Sequence, residues 1–338
     1  MLHDHIGSLL KQAGIDNGSF SVEPFKRIGN NRTYIVNAGD KKYFAKHFFQ
    51  NRDDLRDRFS AELSFATFAH IAAPGFTPQV LAADPSSRLL LYEFVTGTPF
   101  TTDSVTLWSV EQAALFFREL NSQKLTDNAA QLPVASEACF SIDAHIALIA
   151  NRINQLAGIT PLTDEDEDAL ALISRMKDIW EQQMDDMRNA CKTHDIDSSA
   201  ELEKEQRIIS PSDFGFHNAL VCETGEIAFL DFEYSGWDDP AKMMGDFFGQ
   251  LQVPVPQEFF QTFFNLALTD LTEIEKIRQR AEILRPAFRI KWVCIALNVF
   301  LPVHLSRRKF ADPMLNEIAL KKNQLAKAAN IIEKFKQA

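Results

Sequence analysis

The sequence predicts an α+β fold of two lobes, a small β-rich N-terminal lobe followed by a larger, mainly helical C-terminal lobe. Three observations predict it. Short segments rich in aromatic and β-branched residues crowd residues 20–95. A Gly97-Thr98-Pro99 break, which reads as a hinge, follows them. Beyond it, helical periodicity dominates, apart from a strand-and-loop patch at 207–235. With 338 residues, about half of them apolar and 28 of them Phe, the chain can build two cores.

In chain order, 20–28, 33–37 and 43–49 read as strands, parted by turns at Gly29-Asn30-Asn31 and Ala38-Gly39-Asp40. Residues 53–70 read as a helix with Leu55, Phe59, Leu63 and Ala66 on one face. Pro74-Gly75 then breaks the chain, and 79–83 and 89–95 read as two more strands. The lobe boundary is placed between residues 95 and 96, giving domains 1–95 and 96–338. In the second, helices are expected over 107–122, 139–157, 164–190, 256–268, 272–301 and 313–337. The acids of 164–168 follow Pro161 and open a helix, where they complement its dipole.

Composition excludes several classes. A net charge of −11 argues against a nucleic-acid partner, which needs a basic face. Cys139, Cys191, Cys222 and Cys294 lie far apart with no C-x-x-C pair, so they read as reduced thiols of a cytoplasmic protein. The first residues carry no signal-peptide pattern, and charge interrupts every apolar stretch before membrane-spanning length. No P-loop, G-x-G-x-x-G, H-E-x-x-H or G-x-S-x-G pattern occurs.

The chemistry concentrates in Ser210-Pro211-Ser212-Asp213-Phe214-Gly215-Phe216-His217-Asn218 and in the apolar run 227–230 that delivers Asp231. Asp213-Phe214-Gly215 spells the magnesium motif of protein kinases, but that reading requires an upstream Asp with Asn five residues later. The nearby Asp195 and Asp197 have Ala200 and Leu202 at that spacing. In the shifted register Asp213 is the loop acid, Asn218 stands five residues after it, and Asp231 ends a strand eighteen residues after Asp213. One carboxylate for a hydroxyl proton, with an Asn and an Asp as oxygen donors for Mg²⁺, suits phosphoryl transfer, in which positioning and charge neutralisation dominate. The bland alternative is that Asp and Asn are ordinary turn residues.

Residues 210–218 followed by Ala228-Phe229-Leu230-Asp231-Phe232-Glu233-Tyr234-Ser235-Gly236-Trp237-Asp238-Asp239-Pro240 resemble the aminoglycoside phosphotransferase and choline kinase-like family. The resemblance implies a protein-kinase-like fold and ATP-dependent phosphorylation of a small-molecule hydroxyl: a sugar, an amino alcohol or an aminoglycoside-like acceptor. By the same match Asp213 is the catalytic acid/base, Asn218 and Asp231 are the Mg²⁺ ligands, and Asp246 supports the loop. Lys46 matches the strand Lys that contacts the nucleotide phosphates, with Glu62 as its acidic partner. Gly29 and Asn30 sit where a phosphate-covering hairpin belongs, and the segment through Glu93 and Val95 where adenine binds. The chain departs from the family at Pro211-Ser212, where His-Gly is usual, which leaves room for a non-catalytic nucleotide-binding scaffold. Fourteen residues between Asp231 and Asp246 leave no long activation segment, which disfavours a protein substrate.

Several residues keep two readings. Lys46 is a phosphate ligand or a solvent-facing strand Lys; Arg56, Arg58 and Glu62 are site residues or a solvated helix face. His217 contacts substrate or packs the loop. The helix from Pro286 to Leu297 is apolar after Lys291, so Arg289 and Lys291 need partners. Arg289 faces either an acceptor pocket walled by helices within 256–338 or a neighbouring acid. The specific part of the resemblance is 207–247.

Overall fold

The computed structural model describes residues 2–16, 18–25, 29–50 and 56–335. The last part of the strand expected over 20–28, the start of the helix expected over 53–70, Ile28 and residues 336–337 lie outside them. The chain opens with α1 (Leu2–Gln12), β1 (Phe20–Pro24), β2 (Arg32–Ala38), β3 (Lys41–His47), α2 (Arg58–Ala72), β4 (Val80–Asp84), β5 (Leu89–Glu93) and β6 (Gly97–Pro99). It continues with α3 (Leu107–Ser122), α4 (Asp127–Ala130), α5 (Ile142–Ala157), α6 (Asp164–Thr193), β7 (Ile208–Ser210), β8 (Ala219–Cys222), β9 (Ile227–Phe229) and β10 (Gly236–Asp238). It ends with α7 (Pro240–Gly249), α8 (Phe260–Ala267), α9 (Ile274–Leu297), α10 (Pro302–Ala311) and α11 (Glu317–Phe335). The class is α+β, as the sequence predicts, with a small antiparallel sheet region and a larger helical part.

Two compact units emerge, each discontinuous in sequence: Met1–Ser136 with Ile209–Gly236 and Ser306–Met314, and Glu137–Ile208 with Trp237–Leu305 and Leu315–Ala338. The first holds a five-stranded antiparallel sheet, β1-β2-β3-β5-β4. Alternation along β2 and β3 turns Val36, Ala38, Tyr43 and Ala45 into one core. Ile6, Leu9 and Leu10 of α1 close that core, each side chain contributing about 1.5–3 kcal/mol by leaving water. The spacing of these residues is helical, so α1 was available to periodicity. Asp57 caps α2 by accepting from the Ser60 amide at 3.3 Å.

Residues 97–99 are not a free hinge. They form β6, which pairs antiparallel with β8, and β8 in turn pairs with β9. Gly97 is required there, because a Cβ would come within 2.8 Å of the Val221 carbonyl. Behind β9, Phe229 stacks on Phe116 with centroids 4.6 Å apart, and Phe214 packs on Phe229 at 5.3 Å. The Phe of the apparent magnesium motif is thus an anchor that fastens the loop to the core.

The second unit is helical, its core built from α5, α6, α9 and α11. Thr163 caps α6 in a box with Asp166, and Asp164–Glu167 fill the first turn, where negative charge is favoured. α9 is buried from Lys291 onward, as its all-round apolarity requires. Helix 272–301 is α9 plus a short 3₁₀ turn, and Pro302 starts a separate helix, which sequence reasoning missed. Among the described residues no single helix is long and apolar enough to cross a membrane.

Candidate active site

A cavity of about 460 Å³ opens in the first unit, lined by residues of the sheet, α2, β6, β8 and the segment after β9. Its wall contains Gly29, Asn30, Lys46, Glu62, Glu93, Val95, His217 and Asp231. Residues more than two hundred positions apart in sequence therefore meet in one place. Most of the wall is apolar, with Phe44, Tyr92, Phe94, Leu220 and Leu230 among its residues. Such a surface accepts a flat aromatic ring while a few polar groups fix its orientation. Glu93 is exposed, and its carboxylate accepts from the Gln79 amide at 2.9 Å.

Lys46 sits at the polar end. It lies on the face of β3 opposite Tyr43 and Ala45 and is buried there, and its ammonium pairs with Glu62 and with Asp231, the latter at 2.6 Å. The solvent-facing reading of Lys46 is excluded, since only 5% of the residue is exposed. The same holds for Arg58 and Glu62, which are buried, whereas Arg56 does face solvent. Burial opposes the charge on Lys46, but Asp231 and Glu62 outweigh it and hold its pKa above the ordinary range. Burial pushes Glu62 up to about 7 against the pull of Lys46. The Tyr92 hydroxyl donates to the other Glu62 oxygen at 2.7 Å, and Tyr92 itself is raised by burial and by that carboxylate.

Asp231 leaves β9 with φ of 71°, a left-handed conformation that costs a non-glycine residue roughly 1 kcal/mol or more. That turn aims its carboxylate at Lys46 rather than along the strand. The ladder continues past β8, with the Leu230 amide bonding the Asn218 carbonyl at 2.8 Å, so Asn218 lies beside Asp231 in the backbone. Asn218 donates through its side-chain amide to the Asp213 carbonyl at 3.1 Å, and His217 Nε2 lies 3.1 Å from Asp213 Oδ1. Asp213 and Asn218 flank the cavity rather than line it.

Glu233, a residue to which sequence reasoning gave no role, completes the cluster. Glu62, Asp231 and Glu233 place carboxylate oxygens within 4.8 Å of one another, a set of hard donors of the kind Mg²⁺ takes. Glu233 also accepts from Asn30 at 3.2 Å, Asn31 at 2.7 Å and Arg58 at 3.3 Å. The Tyr234 hydroxyl accepts from Asn30 at 3.0 Å and from Arg58 at 2.9 Å. Through these bonds the Gly29–Asn31 turn is tied to the segment that follows Asp231. From its outer side, Arg308 donates to the Gly29 carbonyl at 3.3 Å and Arg32 donates to the Phe310 carbonyl at 2.8 Å. The only sequence cue to Glu233 is its position two residues after Asp231.

Two expected residues lie in the helical unit. Asp246 on α7 is buried and receives Lys291 at 2.8 Å and Lys242 at 3.4 Å, which supplies the partner Lys291 needs. The Arg289 guanidinium packs 4.0 Å over the Phe335 ring; it makes no ion pair among the described residues, and burial lowers its pKa. The acid neighbour expected as one alternative is therefore not found.

The family model described as the phosphotransferase enzyme family matches residues 21–273. Among solved structures, a choline/ethanolamine kinase family protein from Mesorhizobium loti is 17% identical, with a TM-score of 0.58 over 98% of this chain and 95% of that one. A spectinomycin phosphotransferase, crystallised with ADP and spectinomycin, is 13% identical, with a TM-score of 0.59 over 95% of this chain and 98% of that one. A choline kinase from Streptococcus pneumoniae is 14% identical, with a TM-score of 0.55 over 98% and 99% of the two chains. At these identities the likeness establishes a shared fold. No curated protein matches the chain.

Proposed function

The chain belongs to the phosphotransferase enzyme family, and from that premise we propose that it is an ATP- and Mg²⁺-dependent kinase acting on a small-molecule hydroxyl. The observation that carries the reading is Lys46, buried at the cavity wall between Glu62 and Asp231. The apolar part of the cavity takes the adenine beside Glu93 and Val95, and Gly29 and Asn30 cover the phosphates. A lobe boundary at 95/96 belongs to the same reading, since β5 ends at Glu93 and Val95 lines the cavity.

Lys46 holds the phosphates with a charge that persists at any physiological pH, because its pKa is raised. Asn218 and Asp231 are the proposed metal ligands, and Glu233 stands close enough to Asp231 to join them. Mg²⁺, when bound, neutralises the charge that develops on the transferred group. Asp213, about one-third exposed, orients the acceptor hydroxyl and takes its proton. The acceptor oxygen bonds to the γ-phosphorus as the bond to the bridging oxygen breaks, and ADP leaves with that electron pair. Asp246 is proposed as support for the loop that carries Asp213. Arg289 is proposed to recognise an anionic or hydroxyl-rich group of the acceptor, within a class that spans sugars, amino alcohols and aminoglycoside-like molecules. His217, which lines the cavity, is proposed to touch the acceptor.

Two measurements test this. Melting with ATP and Mg²⁺ should rise over melting with either alone, and ADP release across a panel of sugars, amino alcohols and aminoglycosides should identify an acceptor. Asp213→Asn should lower kcat by roughly 10²–10⁴-fold while ATP binding persists. Full turnover in that variant would remove Asp213 from the chemistry, and ATP binding without any acceptor would favour a scaffold.

A further inference from the structure

The loop 210–218 holds its acid in a way that the proposed roles leave unexplained. Pro211 has no amide hydrogen and no polar side chain, and Ser212 turns through a left-handed φ of 67°. On the C-terminal side of the loop, His217 and Asn218 bring polar groups to the Asp213 carboxylate. His217 lies on the 3₁₀ turn Phe216–Asn218, closed by the Asn218 amide on the Gly215 carbonyl at 3.0 Å. Phe216 fixes that turn by packing on Phe100 with centroids 4.6 Å apart. The imidazole is almost fully buried, its side chain 6% exposed, yet it borders the cavity. Its Nε2 lies 3.1 Å from Asp213 Oδ1, and the Asn218 amide nitrogen is 3.3 Å from the same Nε2 and 3.5 Å from Asp213 Oδ2.

Resting on the kinase reading, we infer that His217 is a positioning residue: it donates Nε2–H to Asp213 Oδ1 and fixes the carboxylate with Oδ2 toward the acceptor hydroxyl. The Asp213 side chain is one-third exposed, and catalysis suffers steeply from small displacements of the reacting group. In the transfer step the hydroxyl proton passes to Asp213, while His217 keeps its own proton and its hydrogen bond. The second expected reading of His217, that it packs the loop, is true as far as it goes; the hydrogen bond adds a role that an apolar side chain cannot fill.

The test compares His217→Gln, which keeps an amide donor at similar reach, with His217→Met, which fills the space without one. Both are checked by melting. With the acceptor identified above, His217→Met should lose roughly tenfold to a hundredfold in kcat with the KM for ATP unchanged, and His217→Gln should recover most of it. Equal loss in both variants, or a rise confined to the acceptor KM, overturns the inference. A second measurement is independent of turnover and of the function assigned above. The ring ¹⁵N and Nε2–H signals of His217 should show Nε2 protonated and its proton slow to exchange in the wild type, and that protection should be lost in Asp213→Asn. A ring signal and exchange rate unchanged by the substitution overturn the pairing.

Discussion

Each unit buries a lysine between two carboxylates, and the two clusters differ in instructive ways. In the helical unit Lys242 pairs with Asp238 at 2.6 Å and Asp246 at 3.4 Å, and Lys291 joins Asp246. All four are sealed from water. In the sheet-bearing unit Lys46 pairs with Glu62 and Asp231, but the Asp231 side chain is 27% exposed and the group borders a cavity. Burial as such therefore does not mark a site. The sealed cluster has every charge answered from within, Lys242 held up by its two acids and Asp238 raised by burial against Lys242. The open one gathers Glu62, Asp231 and Glu233 around Lys46, an excess of negative charge that suits a metal. Perturbed groups point to function only where a ligand can reach them.

Removing one lysine from each cluster gives the largest test of this contrast. Lys242→Met strands Asp238 and should cost about 3–5 kcal/mol in denaturant unfolding, because that carboxylate remains buried without a counter-charge, whereas Asp246 keeps Lys291. Lys46→Met should abolish turnover yet cost much less stability, since Glu62 can take up a proton and Asp231 reaches solvent. Comparable stability losses in both would break the distinction.

A middle-sized effect concerns pH. Glu62 has a folded pKa of about 7, above its unfolded value, so the folded state binds the extra proton. Its contribution is fully present below the unfolded value and is lost as pH rises toward and past 7. Glu62→Gln, which cannot ionise, should therefore melt progressively higher relative to the wild type as pH goes from 5 to 8. A constant difference across that range would place the Glu62 proton elsewhere.

The smallest effect is expected at Ser212. Its left-handed backbone disfavours a side chain, and the contact of its hydroxyl with the Ser136 carbonyl is long, at 3.5 Å. Ser212→Gly should stabilise the chain by roughly 0.5–1 kcal/mol in the same unfolding experiment. A loss would mean that the hydroxyl matters more than the strain.

Much of the fold is legible in the sequence. Strands β2 to β5 fall within two residues of their expected ends at nearly every boundary, and α3 begins and ends where expected, because local patterning and partners agree there. β6 was read as a hinge because Gly97-Thr98-Pro99 has turn composition; pairing with the distant β8 overrides it. The Lys46–Glu62 pair was foreseen as one of two readings, since strand alternation could not say which face is buried. The bonds of Glu233 to Asn31 and Arg58 are not legible in the sequence, because they join residues more than 170 positions apart. α1 stands apart, since the helical spacing of Ile6, Leu9 and Leu10 is plain in the sequence.

The return of residues 306–314 to the first unit has a consequence during synthesis. Phe310 packs on His47 and Phe49, and Arg308 and Arg32 bond across the same junction. A ribosome adds roughly 5–20 residues per second, so the early sheet waits ten seconds or more for the segment that clasps its Gly29–Asn31 turn. The usual order, in which an N-terminal domain is finished before the next begins, is closed to this chain. The five strands of the nascent sheet are complete in sequence by Glu93, long before the segment that fastens its Gly29–Asn31 turn is made.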